Sequence, residues 1–139
     1  MRRRNVLPIT AAIVAIASVA SLAGCGAEER AGSGRPVATF QVVGETFRIE
    51  LVTPELIDHA QRLFDGEDLA AIPVGKIVRP EPEVNTGWTW HIDPNTLEFA
   101  DVTTEVCDGL PSFVEDETLT SDTYCPWSAT IIAMDYPEG

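Results

Sequence analysis

Arg2-Arg3-Arg4 is followed by an apolar run over residues 6–20 and then by Leu22-Ala23-Gly24-Cys25. Positive charge, apolar stretch and small-residue end, in that order, read as a secretory signal peptide over residues 1–24. Such a segment is cut away, so whatever folds is built from the rest of the chain and folds outside the cytoplasm, where thiols oxidise. The other reading is a retained transmembrane helix. That run is shorter than the roughly 20 apolar residues a span needs, and Pro8, Thr10 and Ser18 interrupt it. Either way the positive end stays inside and the bulk of the chain lies outside.

A cysteine directly after Ala23-Gly24 resembles the lipobox of bacterial lipoproteins. The resemblance implies a diacylglyceryl group on the Cys25 sulfur and cleavage before that residue. A chain with two or more acyl groups is held stably at a membrane. The implied address is the outer side of a bacterial cell membrane. Residues 25–36 are small, polar and charged, and read as the lipidated cysteine plus a flexible tether. Residues 37–139 are expected to form one domain with a single modest core, and to be monomeric.

Charge narrows the partners. The chain has 22 acidic and 9 basic residues, and three of the basic ones are Arg2, Arg3 and Arg4. Without residues 1–24 the balance is 6 against 22, or −16. No Lys or Arg follows Arg79, while 13 Asp and Glu do. Nucleic-acid binding needs a basic footprint and is excluded. An acidic surface attracts metal ions, cationic peptides or a basic protein, or simply keeps the chain soluble. With Cys25 assigned, Cys107 and Cys125 remain as an even pair in an oxidising compartment. A bridge between them is expected, worth roughly 3 kcal/mol for a loop of that length. Zinc ligation or a reactive thiol is the alternative, but neither cysteine sits in a Cys-x-x-Cys.

Residues 39–52 alternate as a half-buried strand, with Phe47, Ile49 and Leu51 on one side. Gly44 marks a hairpin turn or a bulge. Thr53 as N-cap and Pro54 at the first helical position start a helix whose apolar face is Leu56, Ile57, Ala60, Leu63 and Phe64. Gly66 stops it, and His59 lies off that face, toward solvent. Residues 72–78 read as a strand and 79–86 as a proline-stiffened loop. A turn at Asp93-Pro94-Asn95-Thr96 would pair Ile92 with Leu97, His91 with Glu98 and Trp90 with Phe99. The second of these strands would run on through residues 101–106. Ser112 to Glu115 fits a capping box opening a short helix to Leu119, and residues 127–136 read as a central strand. The sum is an α+β domain: a mostly antiparallel sheet, one longer and one short helix, in the order β-α-β-β-β-α-β.

Few residues could carry chemistry. There is no phosphate loop, no Gly-x-Ser-x-Gly and no His-Glu-x-x-His, and outside residues 1–24 the only histidines are His59 and His91. His91 is the best single candidate. Glu98, Glu105 and Asp108, with Trp88 nearby in sequence, are the groups that could join it in holding a ligand or a cation. A His–Glu cross-strand pair is the structural alternative. Asp93-Pro94-Asn95 lacks the later glycine and glutamate of a calcium loop. Trp88, Trp90, Phe99 and Trp127 read as core, and an exposed subset would mark a binding surface.

Residues 47–131 resemble a family of small secreted bacterial domains similar to the N-terminal domain of a eukaryotic calmodulin-binding protein. The matching pieces are Gly75-Lys76-Ile77-Val78, Asn85 with Gly87-Trp88, Trp90-His91-Ile92-Asp93-Pro94, Glu105-Val106-Cys107-Asp108 and Cys125-Pro126-Trp127-Ser128. Ala129 and Gly109 depart from the pattern, where serine and alanine are expected. The resemblance implies no activity, catalytic residue or cofactor. Calmodulin binding does not carry over, because the chain shows no basic amphipathic helix. The reading is a lipid-anchored, non-enzymatic module with an acidic surface for a basic protein or peptide. Its rival is a small metal-dependent or hydrolytic enzyme centred on His91.

Overall fold

The computed structural model describes residues 34–138. The signal peptide, Cys25 and the tether up to Ser33 lie outside the described residues. At the tether's end Arg35 pairs with Glu50 at 3.2 Å, and Leu51 N donates to Pro36 O at 2.8 Å.

The architecture is α+β. β1 (Val37–Val42) and β2 (Glu45–Glu50) form a hairpin with Phe40 opposite Phe47 and Val42 opposite Glu45. Its loop is Val43-Gly44, with φ of 49° and 90°. Two successive positive φ values make the turn whose twist matches a two-residue hairpin, so Gly44 belongs to a turn and not a bulge. Val43 is a β-branched residue in the left-handed region and is 78 % exposed. It carries backbone strain and little packing. Val43→Asn is therefore expected to stabilise the domain by about 1 kcal/mol and raise the melting temperature by roughly 4–8 °C. A melting temperature that stays put or falls would contradict this reading of the turn.

α1 (Pro54–Phe64) starts as its sequence requires: Thr53 Oγ1 accepts from Leu56 N at 3.2 Å, with Pro54 next. Ala60 is fully buried, Leu56 and Ile57 pack on the core, and the helix lies against β7 (Thr130–Asp135). His59 is not solvated. The segment after the helix folds back over it, so that Nε2 donates to Ala70 O at 2.7 Å. Its ring stacks on Phe99 with centroids 4.5 Å apart.

β7 is an edge strand, not a central one, because the sheet order is β2-β1-β7. Its apolar residues on both faces have another cause. The register runs Phe40–Ile131 and then Thr39–Ala133, a bulge that takes up Ile132. The extra residue lets Ile131 and Met134, three apart, both reach the core while Ile132 stays 42 % exposed.

The second sheet is built on β3 (Ile72–Val78). β4 (His91–Ile92), β5 (Glu98–Ala100) and β6 (Thr123–Tyr124) all pair antiparallel with it. This overturns the expected hairpin, because β4 and β5 do not pair with each other. His91 lies opposite Val78 and Glu98 opposite Val74. Asp93 caps a 3-10 turn, Pro94–Thr96, accepting from Asn95 N at 3.0 Å, and the chain is carried forward along β3 instead of reversing. Gly75 makes room for Ile92 on this path: a Cβ there would lie 2.3 Å from Ile92 Cγ2.

The expected strand over 101–106 is irregular and ends in a 3-10 turn, Glu105–Cys107. α2 (Pro111–Glu115) is shorter than expected and has no capping box. Its polar residues bind other elements. Ser112 N and Oγ both donate to the Glu45 carboxylate at 2.8 Å, and Thr89 N and Oγ1 donate to Glu115 at 3.0 Å. The core holds Phe40, Phe47, Trp90 and Tyr124, with ring centroids 5.4 Å apart for the two phenylalanines and 5.5 Å for Trp90–Tyr124. Among the described residues no helix is long and apolar enough to cross a membrane.

Candidate interaction surface

Cys107 and Cys125 are bridged, with Cα atoms 5.0 Å apart. The bridge joins the irregular 101–109 segment to the start of the chain's last stretch. Around it the backbone is pinned further. Cys125 N donates to Cys107 O at 2.8 Å, and Trp127 N donates to Asp108 Oδ1 at 2.8 Å. The Trp127 indole N–H donates to Thr103 Oγ1. Tyr124 OH donates to Gly109 O at 2.9 Å, and burial, with Asp108 and Glu45 nearby, pushes that phenol well above its usual range.

This pinned segment carries an exposed apolar group. Val102 is 82 % exposed, Val106 72 % and Trp127 43 %. Trp127 was expected in the core, but its polar edge is tied to Thr103 and the ring is held at the surface. Asp101, Glu105 and Asp108 stand among these residues and are exposed. The described cations are all engaged elsewhere. Arg35 pairs with Glu50, Arg48 with Asp135, Arg62 with Asp58 and Glu67, and Lys76 with Asp122. Arg79 donates to Val114 O. With no Lys or Arg beyond Arg79, the acids at the Trp127 surface carry a net negative field.

The sequence-derived candidates divide between two places. Glu105 and Asp108 flank the disulfide with Trp127. His91 and Glu98 sit four residues apart along β3, about 13 Å at strand spacing, so they form no pair. Glu98 is exposed; His91 is 9 % exposed, and its Nδ1 donates to Glu81 O. Trp88 is half-buried and donates its indole N–H to Thr46 O at 2.8 Å, a structural contact. Among the described residues no group of three His, Cys, Asp or Glu is placed to hold a metal ion. Asn85, quoted above only as part of a motif, is fully buried and ties β2 to the segment leading into β4. Its Oδ1 accepts from Arg48 N and its Nδ2 donates to Trp90 O, both at 2.9 Å.

Comparison with protein-family models matches residues 35–138 to the BP-74 N-terminal domain. The chain belongs to that family. The match takes in every described strand and helix, both half-cystines and the Trp127 surface. Neither the curated proteins nor the solved structures give a match. Within this member of the family the motif residues sort by role. Gly75, Asn85, Trp90 and the two cysteines hold the fold, whereas Trp127 and Asp108 face outward at the exposed aromatic surface that the disulfide pins.

Proposed function

We propose that this chain is a lipid-anchored, extracytoplasmic, non-enzymatic module that docks a basic protein or peptide on its Trp127 surface. The observation that carries the reading is the exposure of Val102, Val106 and Trp127 on segments joined by the disulfide, with the exposed acids Asp101, Glu105 and Asp108 on the same stretch. Interfaces are anchored by aromatic residues in preorganised surroundings, and complementary charge steers the partner in. The disulfide supports an oxidising compartment, and the basic-apolar-small leader ending at Cys25 supports the anchor.

Trp127 provides the test. As the central anchor it should cost at least about 2 kcal/mol when truncated, roughly thirtyfold in affinity. Trp127→Ala is expected to cut recovery of a formaldehyde-linked complex from cells by about that factor. Its melting temperature should stay close to the parent's, because the ring lies outside the core. A complex recovered undiminished with Trp127→Ala would remove the surface from the account.

A further inference from the structure

At the centre of the exposed surface one aromatic ring and one carboxylate are fixed side by side. Asp108 directly follows the half-cystine Cys107, and Trp127 stands two residues after Cys125. Three links hold the two segments in register: the disulfide, Cys125 N on Cys107 O at 2.8 Å, and Trp127 N on Asp108 Oδ1 at 2.8 Å. Pro126, next to Trp127, is fully buried. The indole N–H is tied to Thr103 Oγ1, so Trp127 is fixed at its backbone and at its polar edge while 43 % of it stays exposed.

The carboxylate is only half used. Oδ1 accepts from Trp127 N, whereas Oδ2 has no hydrogen-bond partner among the described residues, and none of the described ion pairs includes Asp108. Asp108 is exposed. An aliphatic side chain laid on the ring would leave this oxygen unanswered. A cation answers both groups, because an indole face attracts positive charge and a carboxylate takes charge-assisted hydrogen bonds. Of the two side-chain cations the guanidinium fits better. It is planar, so it stacks on an aromatic face and donates sideways in its own plane. It is also more weakly hydrated than an ammonium, and gives up less on leaving water at a half-exposed site.

We propose that Trp127 and Asp108 form a clamp for an arginine side chain, with the guanidinium stacked on the indole and donating to Asp108 Oδ2. The inference rests on the Trp127 surface being the docking site, and names the group that the partner brings to it. Asp108 is then the residue that selects for charge, which Val102 and Val106 cannot do.

A single-residue probe tests the clamp without the partner. The chain has three tryptophans, so the full-length protein in detergent gives three indole N–H resonances, and loss of one in Trp127→Phe assigns that signal. Nα-acetyl-arginine methylamide is added at constant ionic strength and followed by NMR. The Trp127 signal is expected to move to saturation, and that of the fully buried Trp90 to stay. The neutral citrulline analogue should bind at least about fivefold more weakly, and the lysine analogue more weakly than arginine. Asp108→Asn keeps an acceptor for Trp127 N and removes the charge; it should weaken arginine binding by about fivefold. Glu138→Gln, at an exposed acid beyond the far end of β7, should bind like the parent. The proposal is overturned if the Trp127 signal does not saturate, if the citrulline or lysine analogue matches arginine, or if Asp108→Asn binds no worse than Glu138→Gln. The comparison of arginine with citrulline needs no variant, so it decides even if Asp108→Asn folds poorly. The docking reading fails separately, by undiminished recovery of the cellular complex with Trp127→Ala, whatever the probes do.

Discussion

Asn85→Ala is expected to lower the unfolding free energy by about 3 kcal/mol. The side chain is fully buried and spends both ends of its amide. Oδ1 satisfies the Arg48 N–H on the side of β2 that faces away from β1, and Nδ2 satisfies the Trp90 carbonyl at the entrance to β4. Alanine leaves a donor and an acceptor without partners, each costing roughly 1–3 kcal/mol, and removes the cover from a strand edge. Asn85→Asp tests the mechanism. It keeps the acceptor for Arg48 but turns an oxygen toward the Trp90 carbonyl, so it should not rescue stability. Urea unfolding checks both variants. A midpoint unchanged in Asn85→Ala would mean that the two hydrogen bonds are not what holds the loop to β2.

The second large effect is expected from the disulfide. Replacing Cys107 and Cys125 together by alanine should cost about 3 kcal/mol by loop entropy, enough to lower the melting temperature by more than about 10 °C. Reduction of the parent should reproduce the loss. The consequence reaches the surface, because the bridge joins the segment bearing Val102 and Val106 to the one bearing Trp127. A double variant that melts with the parent and still docks its partner would show that the other bonds, Trp127 to Thr103 and to Asp108, are sufficient.

The parts of the fold that could be read from sequence are those governed by near neighbours. Thr53-Pro54 starts α1, the alternation of Phe47 and Ile49 makes β2, and an even cysteine pair closes on itself. The expected hairpin at Asp93 failed because a capped 3-10 turn uses the same residues as a reversing turn. Choosing between them depends on Gly75, almost twenty residues away, where a Cβ would collide with Ile92 as the segment runs on along β3. β7 misled for a related reason: a bulge hides in a strand as one more apolar residue, and Ile132 looks no different from Ile131. Ser112 and Glu115 had the spacing of a capping box, but each found a better partner in a distant element, Glu45 and Thr89.

The site was legible in the same uneven way. His91 stood out by chemistry, and the structure gives it a buried place beside a cavity. Its hydrogen-bond partner, however, is the Glu81 backbone carbonyl, a group every residue has and no pattern betrays. Sequence alone groups Glu105 and Asp108 with His91, whereas the fold stands them with Trp127. The exposure of Trp127 had no local signal, since an aromatic beside a half-cystine reads as core until the fold places Thr103 beneath its indole nitrogen.

Docking of a basic protein or peptide at the Trp127 surface can be read by proximity in the cell. The most direct measurement places a photo-reactive amino acid at Val106 in one protein and at Val43 in another, and irradiates intact cells. Both positions are exposed, but only Val106 belongs to the acid-framed patch. A discrete adduct to a basic protein or peptide is expected from Val106, weakened by high salt and by Trp127→Ala, and none from Val43. Adducts of equal yield from the two positions, or none from Val106, would contradict it.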